Sequence, residues 1–233
     1  MTYVMSDIHG QHKKFKDMLK KIAFSNNDVL YILGDIVDRG PEPMELLTDI
    51  SMRHNVFPIM GNHDYTAKMI LGKLNKIISE DNIETTLTPK IQKILSAWLA
   101  DGGSETLDGF KKLSNDDRDA ILDYFDEFEP YYVLELQGNT FILVHGGIPY
   151  EERKTPIDEI DPLKLLINRP DYSKRYYKNT YMVTGHTPTV TIGAEYRGRI
   201  FKGNGHIAID CGAAFDMPLG CIRLDDLEEF YVE

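Results

Sequence analysis

Aspartate, histidine and asparagine recur beside glycine in five short blocks of this sequence: Asp7-Ile8-His9-Gly10, Gly34-Asp35-Ile36-Val37-Asp38-Arg39-Gly40, Gly61-Asn62-His63-Asp64, His145-Gly146-Gly147 and Gly185-His186-Thr187. The candidate ligands Asp7, His9, Asp35, Asn62, His145 and His186 offer carboxylate, imidazole and amide oxygen without cysteine sulfur. That set favours manganese, iron or zinc in a five- or six-coordinate site over a structural thiolate zinc. Asp35 is the best candidate to bridge two ions, because a carboxylate has two oxygens whereas a histidine gives a metal one nitrogen at a time. Two ions about 3.5–4 Å apart hold phosphoryl oxygens and lower the pKa of a bound water. The chemistry so implied is phosphoester hydrolysis by hydroxide on a metal pair, with no protein nucleophile.

Each block follows an apolar run. Thr2 to Met5, Val29 to Leu33 and Val56 to Met60 read as strands, followed by helices over Phe15–Phe24, from Pro41 to about His54, and from about Tyr65. Strands alternating with helices indicate βαβ units and a partly parallel sheet, whose ligands gather beyond the carboxyl ends of the strands. From about residue 66 to 129 the pattern is helical, broken near Thr88-Pro89 and at Asp101-Gly102-Gly103-Ser104, and reads as an insertion or cap. Beyond it Tyr131–Leu136 and Thr140–Val144 flank a hairpin turn at Gln137-Gly138-Asn139. More strands are expected at Tyr181–Thr184, Ile200–Lys202, His206–Asp210, Leu219–Leu224 and Phe230–Val232, after an irregular stretch from Pro149 to Asn179. The whole reads as one domain over residues 1–233.

The 233 residues carry a net charge of −11, which opposes a broad phosphate-neutralising surface, so duplex nucleic acid is not expected as a partner. No apolar run reaches membrane-spanning length and no leader pattern precedes Asp7, so a cytoplasmic protein without a membrane partner is expected. Cys211 and Cys221 form no framework and read as buried thiols.

The five blocks resemble the phosphoprotein phosphatase branch of the calcineurin-like metallophosphoesterases, whose pattern is DxH, GDxxDRG, GNH[DE], a histidine-glycine loop and a late GH. The resemblance implies a four-layer α/β/β/α sandwich of mixed sheets, with a helical insertion in this chain. It also implies one metal on Asp7, His9 and Asp35 and another on Asp35, Asn62, His145 and His186, both expected to be manganese, with iron or zinc as alternatives. His63 matches the general acid, Asp38 the residue that orients it, and Arg39 an arginine that grips phosphate, with Asn62 also near the phosphate. Asn168-Arg169 resembles the pair that supplies a second phosphate arginine in bacterial and phage-type enzymes, with Arg153 and Arg175 as rivals. Met60 and Asp64 depart from the eukaryotic branch.

The expected activity is therefore hydrolysis of phosphoserine and phosphothreonine in proteins, with phosphotyrosine a further candidate and a phosphoprotein as the partner. The alternative is a symmetrical dinucleoside tetraphosphate hydrolase or another nucleotide phosphoesterase. The bacterial enzymes of that kind carry alanine where this chain has Asp38, which favours the phosphatase. A non-catalytic phosphate binder would be expected to have lost a ligand or the acid, and none is missing. Plainer readings stand beside these: Asp64 as a helix cap, Asp38 as a cap of the helix near Pro41, Arg39 in a local ion pair. His12, His54 and His206 belong to no block and are expected to be structural or on the surface.

Overall fold

Residues of opposite parity on each strand face different partners, and this alternation produces the layers. The computed structural model describes residues 1–80 and 88–233; the part of the expected helical stretch at 81–87 lies outside the described residues. In chain order come β1 (Thr2–Met5), α1 (His12–Lys21), β2 (Val29–Ile32), α2 (Pro43–Ser51), β3 (Val56–Pro58) and α3 (Asn62–Glu80). Helices α4 (Pro89–Trp98), α5 (Ser104–Lys112) and α6 (Asn115–Asp126) follow, with a π-helical turn at Leu99–Gly103 between the first two. Then come β4 (Tyr131–Leu136), β5 (Asn139–Val144), α7 (Pro162–Ile167), β6 (Thr180–Thr184), β7 (Phe201–Gly203), β8 (His206–Ala208), β9 (Leu219–Arg223) and β10 (Glu228–Val232).

Two mixed five-stranded sheets result, ordered β10-β9-β1-β2-β3 and β4-β5-β6-β8-β7. In the first, β1, β2 and β3 are parallel while β9 is antiparallel to both its neighbours, β1 and β10; in the second, β5, β6 and β8 are parallel. Tyr3, Met5, Leu30 and Ile32 pack with Phe15, Met18, Leu46 and Leu47 beneath the helices. Val4 and Ile222 face the other way and join Phe141, Leu143, Val183 and Ile207 in a core between the sheets. On the outer face of the second sheet Val144 and Met182 meet Ile148, Ile160 and Leu165. That fourth layer is thin, with α7 as its one α-helix among the described residues.

Helix starts follow the capping residues. Pro43 occupies the first turn of α2, two residues after the proline singled out in the sequence, while Thr88, Ser114 and Asp161 accept from backbone N–H groups at the starts of α4, α6 and α7. The hairpin turn has Gln137 at φ 51° and Gly138 at φ 77°, which suits the right-handed strand twist. The expected break at Asp101-Gly102-Gly103-Ser104 is present as a kink, where Asp101 and Gly102 leave helical φ and ψ. Cys211 and Cys221 are buried free thiols. Among the described residues no helix is long and apolar enough to cross a membrane.

Candidate metal centre and active site

The loops after β1, β2 and β3 are zipped together before any side chain contributes. Asp7, His9 and Gly10 donate their backbone N–H groups to Gly34, Asp35 and Ile36 at 3.0, 2.9 and 2.7 Å. Asp64 joins the third loop: its buried carboxylate accepts from Ile36 N (2.9 Å), Val37 N (3.2 Å) and Gly61 N (3.1 Å). Asp64 thus fastens the start of α3 to the loop that carries Asp35, as its plainer reading anticipated in part. A β-carbon on Gly61 would lie 2.2 Å from Asp35 N, so only glycine permits this approach. Asp7, His9, Asp35, Asp38, Arg39 and His186 all adopt positive φ, from 47° to 70°. Each such residue costs roughly 1–2 kcal/mol, strain that a well-bonded surround must hold in place and that characterises functional sites.

Two groups of donor atoms, each within 4.8 Å of one another, share Asp35: His9, Asp35 and His63 form one, and Asp35, His145 and His186 the other. Asp35 Oδ2 lies 3.7 Å from His9 Nε2, and its Oδ1 lies 3.4 Å from His145 Nε2. Asn62 Oδ1 is 3.1 Å from the same His145 nitrogen. The expected ligands are therefore brought together, with two differences. Asp7 is outside both groups; its carboxylate accepts from the His186 N–H (3.0 Å) and from the Ser6 hydroxyl. His63, expected as the acid, falls within the first group.

The ring nitrogens turned from the centre are occupied: His9 Nδ1 lies 2.9 Å from Val37 O and His145 Nδ1 2.5 Å from Leu33 O, which leaves each Nε2 facing inward. Burial, reinforced by Arg39 and His63 and opposed by Asp35, lowers the His9 pKa to about 4. Burial and His145 lower that of His186 to about 4 as well. Both are neutral at pH 7, the ligating form. His145 goes the other way: burial opposes its charge, but the Asp35 carboxylate outweighs it and raises the pKa to about 10. Burial and neighbouring Asp35 raise Asp7 to about 6 and Asp64 to about 7. Asp210, also buried, is raised well above the usual carboxylate range by burial and then by Asp7. Buried carboxylates crowded in this way demand compensating positive charge, so divalent cations fit the donor set.

His63 Nδ1 pairs with Asp38 Oδ2 at 2.7 Å, so the orienting role read from the resemblance is matched by the contact, and Asp38 does not cap α2. Burial opposes a charged His63, but the Asp38 hydrogen bond and Asp35 raise its pKa. Arg39 stands 2.9 Å from His9 Nε2 and 2.8 Å from His63 Nε2, and pairs with Asp101 at 3.1 Å. The guanidinium therefore occupies the inward face of His9, and a cation held there requires it to turn away. Arg153 and Arg175, the rivals of Arg169, are bonded to the carbonyls of Tyr150 and of Tyr177 and Lys178. Arg169 is exposed, and its charge is felt at His186. Sequence reasoning missed Trp98, Asp101 and Thr106, which touch Asp38, His63 or Arg39, and no local pattern marks them for that contact.

Residues 2–212 match the family described as calcineurin-like phosphoesterase. The symmetrical bis(5'-nucleosyl)-tetraphosphatase of Wigglesworthia glossinidia brevipalpis is 35% identical over 113 residues, 48% of this chain and 42% of that protein. The protein of the same name from Shewanella loihica is 24% identical over 223 residues, 90% of this chain and 71% of its own length. A crystal structure of a protein provisionally assigned as a diadenosine tetraphosphatase superposes with a TM-score of 0.68 at 14% identity, covering 99% of this chain and 92% of that one, a likeness of fold. These relatives overturn the expectation of a phosphoserine and phosphothreonine phosphatase, and with it that of a phosphoprotein partner. The Asp38 carboxylate, which favoured the phosphatase in the sequence, takes His63, Trp98 and Thr106 of this chain as partners. With the family pattern running from residue 2 to residue 212 and its donor groups gathered around Asp35, this chain belongs to the calcineurin-like phosphoesterases.

Proposed function

We propose that this chain hydrolyses symmetrical dinucleoside tetraphosphates to two nucleoside diphosphates. The observation that carries the reading is the match to a symmetrical tetraphosphatase over 223 residues, which spans the helical stretch as well as the loops. Asp7, His9 and Asp35 would hold one divalent cation and Asp35, Asn62, His145 and His186 the other, with manganese the first choice for oxygen and imidazole ligands. Bound there, the pair supplies Lewis-acid stabilisation of phosphoryl charge and a water of lowered pKa.

The chain's own residues do the rest. Arg39, turned from the Nε2 atoms of both His9 and His63, grips a phosphoryl oxygen pair with its planar fork and leaves His63 Nε2 free to carry a proton, and Asn62 lies beside the same phosphate. Arg169 neutralises a further phosphate of the tetraphosphate chain; its exposure and its influence at His186 support that role. Water oxygen bonds to phosphorus as the central bridging P–O bond breaks, and the bonding pair leaves with the departing diphosphate. His63, oriented by Asp38, holds its Nε2 proton for that leaving oxygen.

Side-by-side turnover of diadenosine tetraphosphate and a phosphoserine peptide by the manganese-loaded protein tests this. The expected nucleotide product is ADP alone, with kcat/KM at least about 100-fold above the peptide, because binding energy from the remote nucleosides is available to the transition state. Release of ATP and AMP, or a preference for the peptide, would overturn the reading.

A further inference from the structure

Helices α4 and α5 both reach the Asp38 carboxylate. Asp38 is fully buried, and its oxygens take three partners: His63 Nδ1 and Trp98 Nε1 at Oδ2, and the Thr106 hydroxyl at Oδ1, each at 2.7 Å. Thr106 is itself fully buried and accepts in return from the Asp38 N–H at 2.9 Å. Trp98 ends α4 and Thr106 lies in the first turn of α5, so both face Asp38 only because the helix kinks between them. The kink is built at Asp101 (φ −97°, ψ 19°) and Gly102 (φ 98°, ψ 14°). Gly102 O also accepts from Arg39 N at 2.8 Å, which presses the kink against the same loop.

A carboxylate offers about four lone-pair directions, and three fixed partners leave it no freedom to rotate. A carboxylate held in one direction orients the imidazole bonded to it, and proton transfer is sensitive to small errors of placement. We propose that Trp98 and Thr106 are positioning residues for the acid: they lock the Asp38 carboxylate so that His63 presents Nε2 to the departing oxygen. This rests on the reading of His63 as the acid. The helical stretch is then part of the proton-delivery apparatus.

The test compares phenyl phosphate with 4-nitrophenyl phosphate, poor and good leaving groups, for the manganese-loaded full chain carrying His63→Asn, Trp98→Phe, Thr106→Val or Thr106→Ser. Trp98→Phe and Thr106→Val should lower kcat about tenfold for the phenyl ester, the usual scale for loss of an orienting partner. They should leave the 4-nitrophenyl ester within about twofold and KM unchanged. Thr106→Ser, which keeps the hydroxyl, should retain wild-type behaviour. Should His63→Asn slow both esters equally, the acid reading itself fails. Where His63→Asn discriminates but Trp98→Phe and Thr106→Val slow both esters equally, or neither, the positioning role fails. A second measurement does not depend on turnover: the downfield proton resonance of the His63 Nδ1–H, identified by its loss in His63→Asn, should broaden or shift in both positioning variants. An unaltered resonance in both would overturn the proposal.

Discussion

Asp35 is the residue on which the candidate centre turns, since its two oxygens face different imidazoles, 3.7 Å from His9 and 3.4 Å from His145. Burial opposes its charge, yet His145 and the other imidazoles hold its pKa well below the usual carboxylate range, so it stays ionised and available to ligands. Asparagine keeps the shape but removes the charge that both donor groups share, and replaces one of the two oxygens with an NH2 donor that cannot ligate a cation. Asp35→Asn should therefore lower affinity for both ions by more than about 100-fold, beyond the 10–100-fold cost of losing an outer partner. Metal analysis after dialysis checks this, and two ions retained at full occupancy would count against a shared ligand. At this scale the candidate ligands were legible, because metal chemistry restricts residue type and each ligand sits beside glycine in its own short block. Trp98 and Thr106 were not, since their partner Asp38 is 60 and 68 positions away and an isolated tryptophan or threonine in a helical pattern carries no sign of it. The hydrogen bond from the His186 N–H to Asp7, 179 residues apart, was likewise invisible.

Elements place these residues by close backbone approach, and the kink between α4 and α5 is the clearest case. A β-carbon on Gly102 would lie 2.6 Å from Arg39 Cγ and 2.9 Å from Arg39 N, at a φ of +98°. Gly138 in the β4–β5 turn also has positive φ, +77°, but nothing lies within 4 Å of where its β-carbon would be. Gly138→Ala should cost about 1–2 kcal/mol from backbone strain alone. Gly102→Ala should cost a further 1–3 kcal/mol or so for overpacking against the Arg39 loop. Urea unfolding measures both, and equal costs would deny the close contact. The contrast also explains which elements could be read in advance. The β4–β5 hairpin announces itself through a local pair of turn residues between alternating apolar runs, and the Gly-Gly pair marks the break after α4, whereas the hydrogen bond from Arg39 N to Gly102 O that seats the kink is not local. The four-layer arrangement was legible from the family resemblance together with the strand alternation, but the thinness of the outermost layer follows from the irregular stretch before β6, where local pattern specifies little.

Across the whole molecule, the two sheets bring different side chains to one place: His9 and Asp35 follow β1 and β2 of the first, and His145 and His186 follow β5 and β6 of the second. The substrate class was not legible at any scale, because the loops encode phosphoryl chemistry and leave the rest of the substrate to surfaces elsewhere. The segment that carries Arg169 is fastened to the second sheet by His206 on β8. Its Nε2 lies 2.9 Å from Lys174 O, while the rings of Tyr172 and Tyr176 pack edge-on against the imidazole. Burial lowers the His206 pKa, with Arg175 adding to it and the Lys174 carbonyl and Asp171 opposing. The folded chain thus holds His206 neutral where the unfolded chain begins to take up a proton, near pH 6.5. Stability from this group is fully present above that pH and is lost as the pH falls from there toward the lowered folded value. With metal kept saturating, wild-type protein should lose more stability to urea between pH 7.5 and pH 5 than His206→Gln, which cannot titrate. Equal losses in the two proteins would show that protonation of His206 does not loosen the segment from its sheet.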